Sequence, residues 1–387
     1  MDFRLTEEQR MLRDNAGSFI DREIAPAAQE RDNRGALTRE ETLSYIKKLM
    51  PFGYYNGVLP SEYGGAGLDH KTFGVLQEEL SRGWAGLAGT LWLAAGSTAM
   101  LGVSDARHRE RIQRVRAGEC IGAGAITEPN FGSESSGLQT TAVADGDDWV
   151  LNGTKAWISN APICDHVTVA AQTDRAAGRA GIRWILVDKE VSPYIAGPAN
   201  KLVGLRAWPN GELNFQDCRA PRQNMRARQP VAEDNGRRVW AFEAPRSVLS
   251  IMSVGIAQAA IDASIAYARE RRQFGRPIAA FQLVQEMIVD MILETEAARL
   301  LAYQAMDLLD RDEDCSWQAA AAKAFATEMA IRVTSKAIEV HGAVGLSEDL
   351  PVERYFRDAR AMTIPDGTTE IQKLIIGRAR IGVSAFQ

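Results

Sequence analysis

The chain has 387 residues, room for two or three domains of roughly 100–200 residues each. Its 45 % hydrophobic and 25 % charged residues are those of a globular protein with a sizeable core. With 45 basic against 50 acidic residues and a net charge of −5, it lacks the basic excess of a nucleic-acid binder.

Residues 1–122 read as helices by periodicity and caps. Thr6 with Gln9, and Thr38 with Glu41, each form a capping-box pattern ahead of apolar residues. Met1-Asp2-Phe3-Arg4 leads straight into this pattern without the apolar segment that secretion needs. Cys120, Cys164, Cys218 and Cys315 are far apart with no C-x-x-C pair; four free thiols in a reducing cytoplasm are expected. His70, His108, His166 and His341 show no metal or triad spacing, so no metal is expected. Residues 60–67 are a glycine-rich loop. The uncharged stretch 83–104 is long enough for a membrane span, but Gly83, Gly86, Gly89, Gly96 and Gly102 make it a core helix instead.

The texture changes at about Gly122. An Asn152-Gly153 pair between apolar runs predicts a hairpin within 149–158, and strands are expected at 167–170, 182–187 and 212–215. Residues 219–238 read as a basic linker with a solvated face. Beyond about Val239 the pattern is helical again: Val284, Met287, Met291, Ala298 and Leu301, then Phe325, Met329 and Val333, recur at core-facing spacing. The expected fold is mainly α with a central β-domain. An N-terminal helical domain spans 1–122, a small β-barrel or sandwich 123–231, and a C-terminal helical bundle 232–387.

Four segments carry chemistry. Ala125-Ile126-Thr127-Glu128-Pro129-Asn130-Phe131-Gly132-Ser133-Glu134 offers hydroxyl and backbone donors on a loop. In Trp157-Ile158-Ser159-Asn160 an indole can cover a flat ring while a hydroxyl donates to it. The basic run from Arg269 to Arg272, continued by Gln273-Phe274-Gly275-Arg276-Pro277 and Phe281-Gln282, suits a pyrophosphate. Finally, Pro365-Asp366-Gly367-Thr368-Thr369-Glu370 sets a carboxylate on a turn, with Thr368 placed to cap the next helix.

In this order and spacing, the four segments resemble the acyl-CoA dehydrogenase family over nearly the whole chain. The resemblance implies a C-terminal four-helix bundle, a homotetramer, one FAD per subunit, an acyl-CoA substrate and an electron-transfer flavoprotein as acceptor. It places Ile126, Thr127, Trp157 and Ser159 at the flavin, and Ser133 near the pantetheine. Arg271, Gln273, Phe274 and Gln282 would reach a neighbouring subunit's FAD, with Glu339 and Gly342 lining that pyrophosphate and Thr368 and Glu370 completing the cofactor site. Part of the stretch 87–103 would help form the acyl pocket.

The resemblance also implies a carboxylate base for the α-proton, with backbone donors for the enolate oxygen. The usual glutamate of that turn is Asp366 here, followed by Gly367, and the residue before it is Pro365 rather than tyrosine. In other members the base precedes an arginine on an earlier helix; that slot is Pro245, before Arg246, and the nearest carboxylate is Glu243. Asp366 is the preferred base, Glu243 the alternative, and Arg246 a support at the substrate. The altered base and pocket wall allow a branched or cyclic acyl group, with a short straight chain as the alternative. Glu339 replaces a glutamine and Ala343 a glycine, which sets a carboxylate beside phosphates. Three other readings are a carrier-protein-bound thioester as substrate, a non-catalytic binding partner, and an oxidase. His341 is expected to pack rather than to catalyse.

Overall fold

The computed structural model describes residues 4–61, 65–96, 106–225 and 242–386. Five helices open the chain: α1 (Glu7–Glu23), α2 (Ala25–Asn33), α3 (Arg39–Leu49), α4 (His70–Gly96) and α5 (Ala106–Arg116). Both capping boxes form. Thr6 accepts from the Gln9 N–H and Thr38 from the Glu41 N–H, and each partner side chain returns a bond to the cap N–H. The first part of the long uncharged stretch is the second half of α4, where Leu87, Ala88 and Leu91 are fully buried. Residues 97–105, and so the end of the stretch expected at the acyl pocket, lie outside the described residues.

The middle of the chain is one curled sheet. Its strands are β1 (Gly122–Ala125), β2 (Thr141–Asp145), β3 (Asp148–Ser159), β4 (His166–Gln172), β5 (Ile182–Asp188), β6 (Ile195–Ala196) and β7 (Asn210–Pro221). They run in the order β1-β4-β2-β3-β7-β6, with β5 paired to β4. The expected Asn-Gly hairpin does not form. Asn152 and Gly153 lie inside β3, at a register shift against β7. An Asn-Gly pair between apolar runs serves a bulge as well as a turn. Here Gly153 has φ +147°, and a Cβ on it would lie 2.5 Å from the Thr140 hydroxyl, so close approach is what demands glycine. The hairpin turn is instead Gly146-Asp147, between β2 and β3. Arg219 is likewise no linker residue: it belongs to β7 and pairs with Asp145 and Asp148 on the surface. The rest of the expected linker, from residue 226, and the expected boundary at 231/232 fall outside the described residues.

Helices α6 (Glu243–Glu270), α7 (Gln282–Asp310), α8 (Ser316–His341), α9 (Val352–Met362) and α10 (Thr369–Ile381) complete the chain, with a two-stranded hairpin, β8 (Arg272–Gln273) and β9 (Arg276–Pro277), after α6. Helix α6 lies at the centre, against α4, α7, α8 and α9. Among the described residues it alone is long and apolar enough to cross a membrane, but 78 % of that window is buried within the protein. Its buried Ser250, Ser253 and Ser264 hydroxyls each donate to the carbonyl one turn back, at 2.7, 2.8 and 2.7 Å, so a polar group in the core costs no unmet bond. Met291, Ala298, Met329 and Val333 are buried as their spacing predicts, while Val284, Met287 and Leu301 of the same expected stripe are only partly buried. Phe325 is not: it is 36 % exposed.

The β-domain meets the C-terminal helices at residues 203–205. The Leu205 N–H donates to the buried Asp358 carboxylate of α9 at 2.5 Å, and Arg357 donates to Asp32 of α2 at 3.3 Å. Gly204 has no room for a side chain, since a Cβ would lie 2.0 Å from the Arg357 carbonyl oxygen. Backbone on both sides cannot yield as a flexible side chain would. Gly204→Ala is therefore expected to cost about 2 kcal/mol or more, read as a lower thermal unfolding midpoint; an unchanged midpoint contradicts this docking.

Candidate active site

After β1 the chain enters the loop that carries Ile126, Thr127 and Glu128. This loop is fastened to β3 from below and beside. The Ala156 N–H donates to the Thr127 carbonyl at 3.0 Å. The fully buried Lys155 ammonium donates to the Ile126 carbonyl at 3.0 Å and to the Glu128 carboxylate at 2.8 Å. Glu128 also accepts from the Gln139 and Thr140 N–H groups, at 2.6 and 2.8 Å. Burial pushes the Glu128 carboxyl up, but the bonds from Lys155 and Thr140 outweigh it and hold the group below its ordinary value. Burial pulls the Lys155 ammonium down, with Glu128 limiting the fall. We read the pair as ionised, because the carboxylate has three donors and burial without them would be costly.

The same strand turns Trp157 outward. A second register shift separates Lys155 from Ile158, and Trp157 takes φ +60°, a conformation uncommon outside glycine and found at functional positions. Its indole is 61 % exposed, although tryptophan is usually well buried. Asn160, at φ +62° and fully buried, ends this segment and ties it to α4 by donating to the Thr90 carbonyl at 3.1 Å. The Thr127 and Ser159 hydroxyls stand close by on adjoining segments, and neither has a partner among the described residues. A flat exposed ring with two free donors suits an isoalloxazine, so these residues fit FAD. Ser133 lies exposed, beyond the tight turn that Glu128 and Phe131 close with bonds of 3.0 and 3.2 Å.

The second group surrounds the turn between α9 and α10. Asp366 has φ +52° and Gly367 φ +94°. Buried donors hold both carbonyls of the turn. Gln372 donates to Asp366 and Gly367 at 3.0 and 2.8 Å, Arg246 to Asp366 at 3.4 Å, and Lys323 to Gly367 at 2.7 Å. Burial pushes the Asp366 carboxyl above its ordinary value, against the pull of the Arg246 and Lys323 charges. Glu243 stands at the start of α6 and accepts from the Phe242 N–H at 3.2 Å; the Ser316 hydroxyl lies 3.4 Å away but donates to Asp314 at 2.7 Å. Thr368 takes the cap position of α10, although its side chain makes no cap bond. Glu370 follows it in the first turn and is exposed.

The remaining residues gather elsewhere. Arg271, Gln273 and Phe274 lie on the exposed hairpin after α6, with Gln282 at the start of α7. Phe274 is 93 % exposed. Glu339 and Gly342 are at the end of α8, beside them, because His341 stacks on Tyr267 of α6 at 4.5 Å. His341 is buried, with Nδ1 on the Ala337 carbonyl at 2.7 Å, a packing role as expected. Glu339 is exposed and forms no ion pair among the described residues. This group is about 27 Å along α8 from Lys323, at ~1.5 Å per residue. Within one chain the two groups therefore stay apart.

Sequence reasoning missed the Lys155–Glu128 pair, Gln372 and Lys323. Lys323 had a signal: a lone lysine among alanines, on the same face of α8 as the buried Ala319, Ala330 and Thr327.

Comparison with known proteins agrees with this architecture. Models of the acyl-CoA dehydrogenase N-terminal, middle and C-terminal domains match residues 6–114, 123–218 and 237–381. A probable acyl-CoA dehydrogenase of Bacillus subtilis, YngJ, is 35 % identical over 98 % of this chain and 99 % of its own. The structure of butyryl-CoA dehydrogenase from Megasphaera elsdenii is similar at a TM-score of 0.89 and 30 % identity, covering 98 % of this chain and 100 % of its own. A glutaryl-CoA dehydrogenase from Mycobacterium smegmatis in complex with FADH2 is similar at a TM-score of 0.87 and 27 % identity, over 99 % and 97 % of the two chains. With all three domains matched in order, the chain belongs to the acyl-CoA dehydrogenase family and is an FAD-dependent oxidoreductase of acyl-CoA thioesters.

Proposed function

We propose that the enzyme removes hydrogen from the α- and β-carbons of an acyl-CoA to leave the trans-2-enoyl-CoA, with Asp366 as the base. The observation that carries this reading is a half-buried carboxylate on a turn whose backbone is locked from beneath. Bound FAD supplies the acceptor for the hydride that leaves the β-carbon. Asp366 takes the α-proton. A thioester α-proton is weakly acidic, so the developing enolate oxygen needs fixed donors. Drawing the Asp366 and Gly367 carbonyls inward turns the Gly367 and Thr368 N–H groups outward, because each planar peptide sets its N–H opposite its C=O. Those N–H groups are the chain's own donors for that oxygen. Glu243 is the weaker candidate, since its carboxylate is engaged by the Phe242 N–H and lies off the locked turn.

An aspartate reaches about one carbon–carbon bond less far than a glutamate, and ~1 Å of misplacement can cost about a hundredfold in rate. A branched or cyclic acyl group, which thickens the substrate near the reacting carbons, suits the shorter base. The electrons leave to an electron-transfer flavoprotein. We further propose a homotetramer. Helix α7 exposes Val289, Leu293 and Leu300 at helical spacing, and the adjoining hairpin exposes Phe274, the kind of apolar patch that a partner surface covers. A neighbouring subunit also explains why the basic hairpin lies so far from Asp366 in its own chain.

Anaerobic addition of straight, branched and cyclic acyl-CoAs is expected to bleach the yellow protein, fastest with a branched or cyclic member; no bleaching with any of them, but bleaching with a carrier-bound thioester, contradicts the CoA reading. Asp366→Asn is expected to slow bleaching by roughly 10²–10⁴-fold, and Glu243→Gln by only a few fold. Because ionised Asp366 is the active form and burial raises its pKa, the rate should fall as pH drops, at a pH above the ordinary carboxylate value of 3.8; a rate flat down to that value contradicts the assignment. In light scattering, Leu293→Glu should reduce the assembly to smaller species, and a monomeric parent protein would refute the oligomer.

A further inference from the structure

We propose that Lys323 is a positioning residue for the base: it seats the Asp366–Gly367 turn and keeps a positive charge beneath the carboxylate. This rests on the reading of Asp366 as the base.

Lys323 is fully buried in the middle of α8. Its ammonium donates to two carbonyls, Thr363 at 2.8 Å and Gly367 at 2.7 Å, one on each side of Asp366. Among the described residues no carboxylate closes on it as an ion pair. Burying an ammonium without such a partner is costly, and an apolar residue of similar volume would fill the space with less penalty. A lysine there therefore does something that packing alone would not require.

The charges around it show what that is. Asp366, Glu328 and Glu370 all act on Lys323, together with the like charge of Arg246. Glu370 is exposed, and Glu328 already accepts from the Thr369 hydroxyl at 2.8 Å. Asp366 is thus the carboxylate to which the charge matters most. Arg246, from α6, faces the same turn and also feels Glu243. Burial lowers Lys323 to about 8, which leaves it mostly charged at neutral pH. Burial raises the pKa of Asp366, and the Arg246 and Lys323 charges oppose that rise. The clamp and the charge act together: one fixes where the base stands, the other keeps it ionised in a dry site.

The test is anaerobic single-turnover flavin reduction across pH, with the FAD-loaded enzyme and its best acyl-CoA. Lys323→Met is expected to bind acyl-CoA normally but to reduce flavin about tenfold more slowly or worse. Its acid limb should move to higher pH, because removing a cation raises a neighbouring carboxylate's pKa. Lys323→Arg, which keeps the charge, should restore the limb even where the rate stays low. A folded, yellow Lys323→Met with the parent rate and limb overturns the proposal. If Lys323→Met does not fold, Lys323→Gln retains one donor without the charge, and an unmoved limb in that variant overturns the proposal equally. Asp366→Asn separates the two ideas. If it abolishes reduction while the lysine variants change nothing, only the role of Lys323 fails; if it leaves reduction intact, the base assignment fails and takes this proposal with it.

Discussion

The structure depends most on the satisfaction of backbone carbonyls beneath loops that have no ladder of their own. A turn that leaves helix or sheet must find partners for its peptide groups. Beneath Asp366 these partners are Gln372, Arg246 and Lys323; beneath Ile126 the partner is Lys155. In both places a buried lysine on a long regular element reaches under a loop and donates to its carbonyls. A site carried this way inherits the rigidity of the helix or strand that holds it.

This arrangement also reconciles two demands on the site. The flavin platform and the base must be dry, since low dielectric strengthens electrostatic contacts and raises a carboxylate's affinity for a proton. Dryness, however, makes every unmet polar group expensive. Placing cations below the loops and leaving the Trp157 indole and the Thr127 and Ser159 hydroxyls above them separates the two needs. The lower side is bonded within the chain, and on the proposed reading the upper side receives FAD and thioester. The hairpin with Phe274 and the end of α8 with Glu339 lie apart from the Asp366 turn, which is what the proposed contribution from a neighbouring subunit would account for.

Much of this was legible from residues alone. Periodicity and the Thr6 and Thr38 caps predicted the flanking helices, and β-branched and apolar runs predicted β4 and β5. The motif segments led to the proposed flavin platform and to the Asp366 turn only through their resemblance to a family, since each alone reads as an ordinary loop, strand or turn. Asn152-Gly153 misled, because a bulge and a turn call for the same pair, and what decides between them is Thr140, distant in sequence. Phe325 misled because helical spacing reports an apolar face without saying whether this chain or another covers it. The clamp was hidden for a related reason. Lys155, Lys323 and Gln372 bond to carbonyls, which every residue carries, so even where a buried lysine is signalled, as Lys323 is by its alanine face, its partner is not.

The central claim is that the locked Asp366 carboxylate is what removes the α-proton. It is most directly tested apart from hydride transfer, with an acyl-CoA that has α-hydrogens but none on its β-carbon, incubated with the FAD-loaded enzyme in D2O. The account predicts that the parent protein exchanges the α-hydrogens for deuterium, detected by mass, and that Asp366→Asn with its flavin in place does not. Undiminished exchange in Asp366→Asn would contradict it.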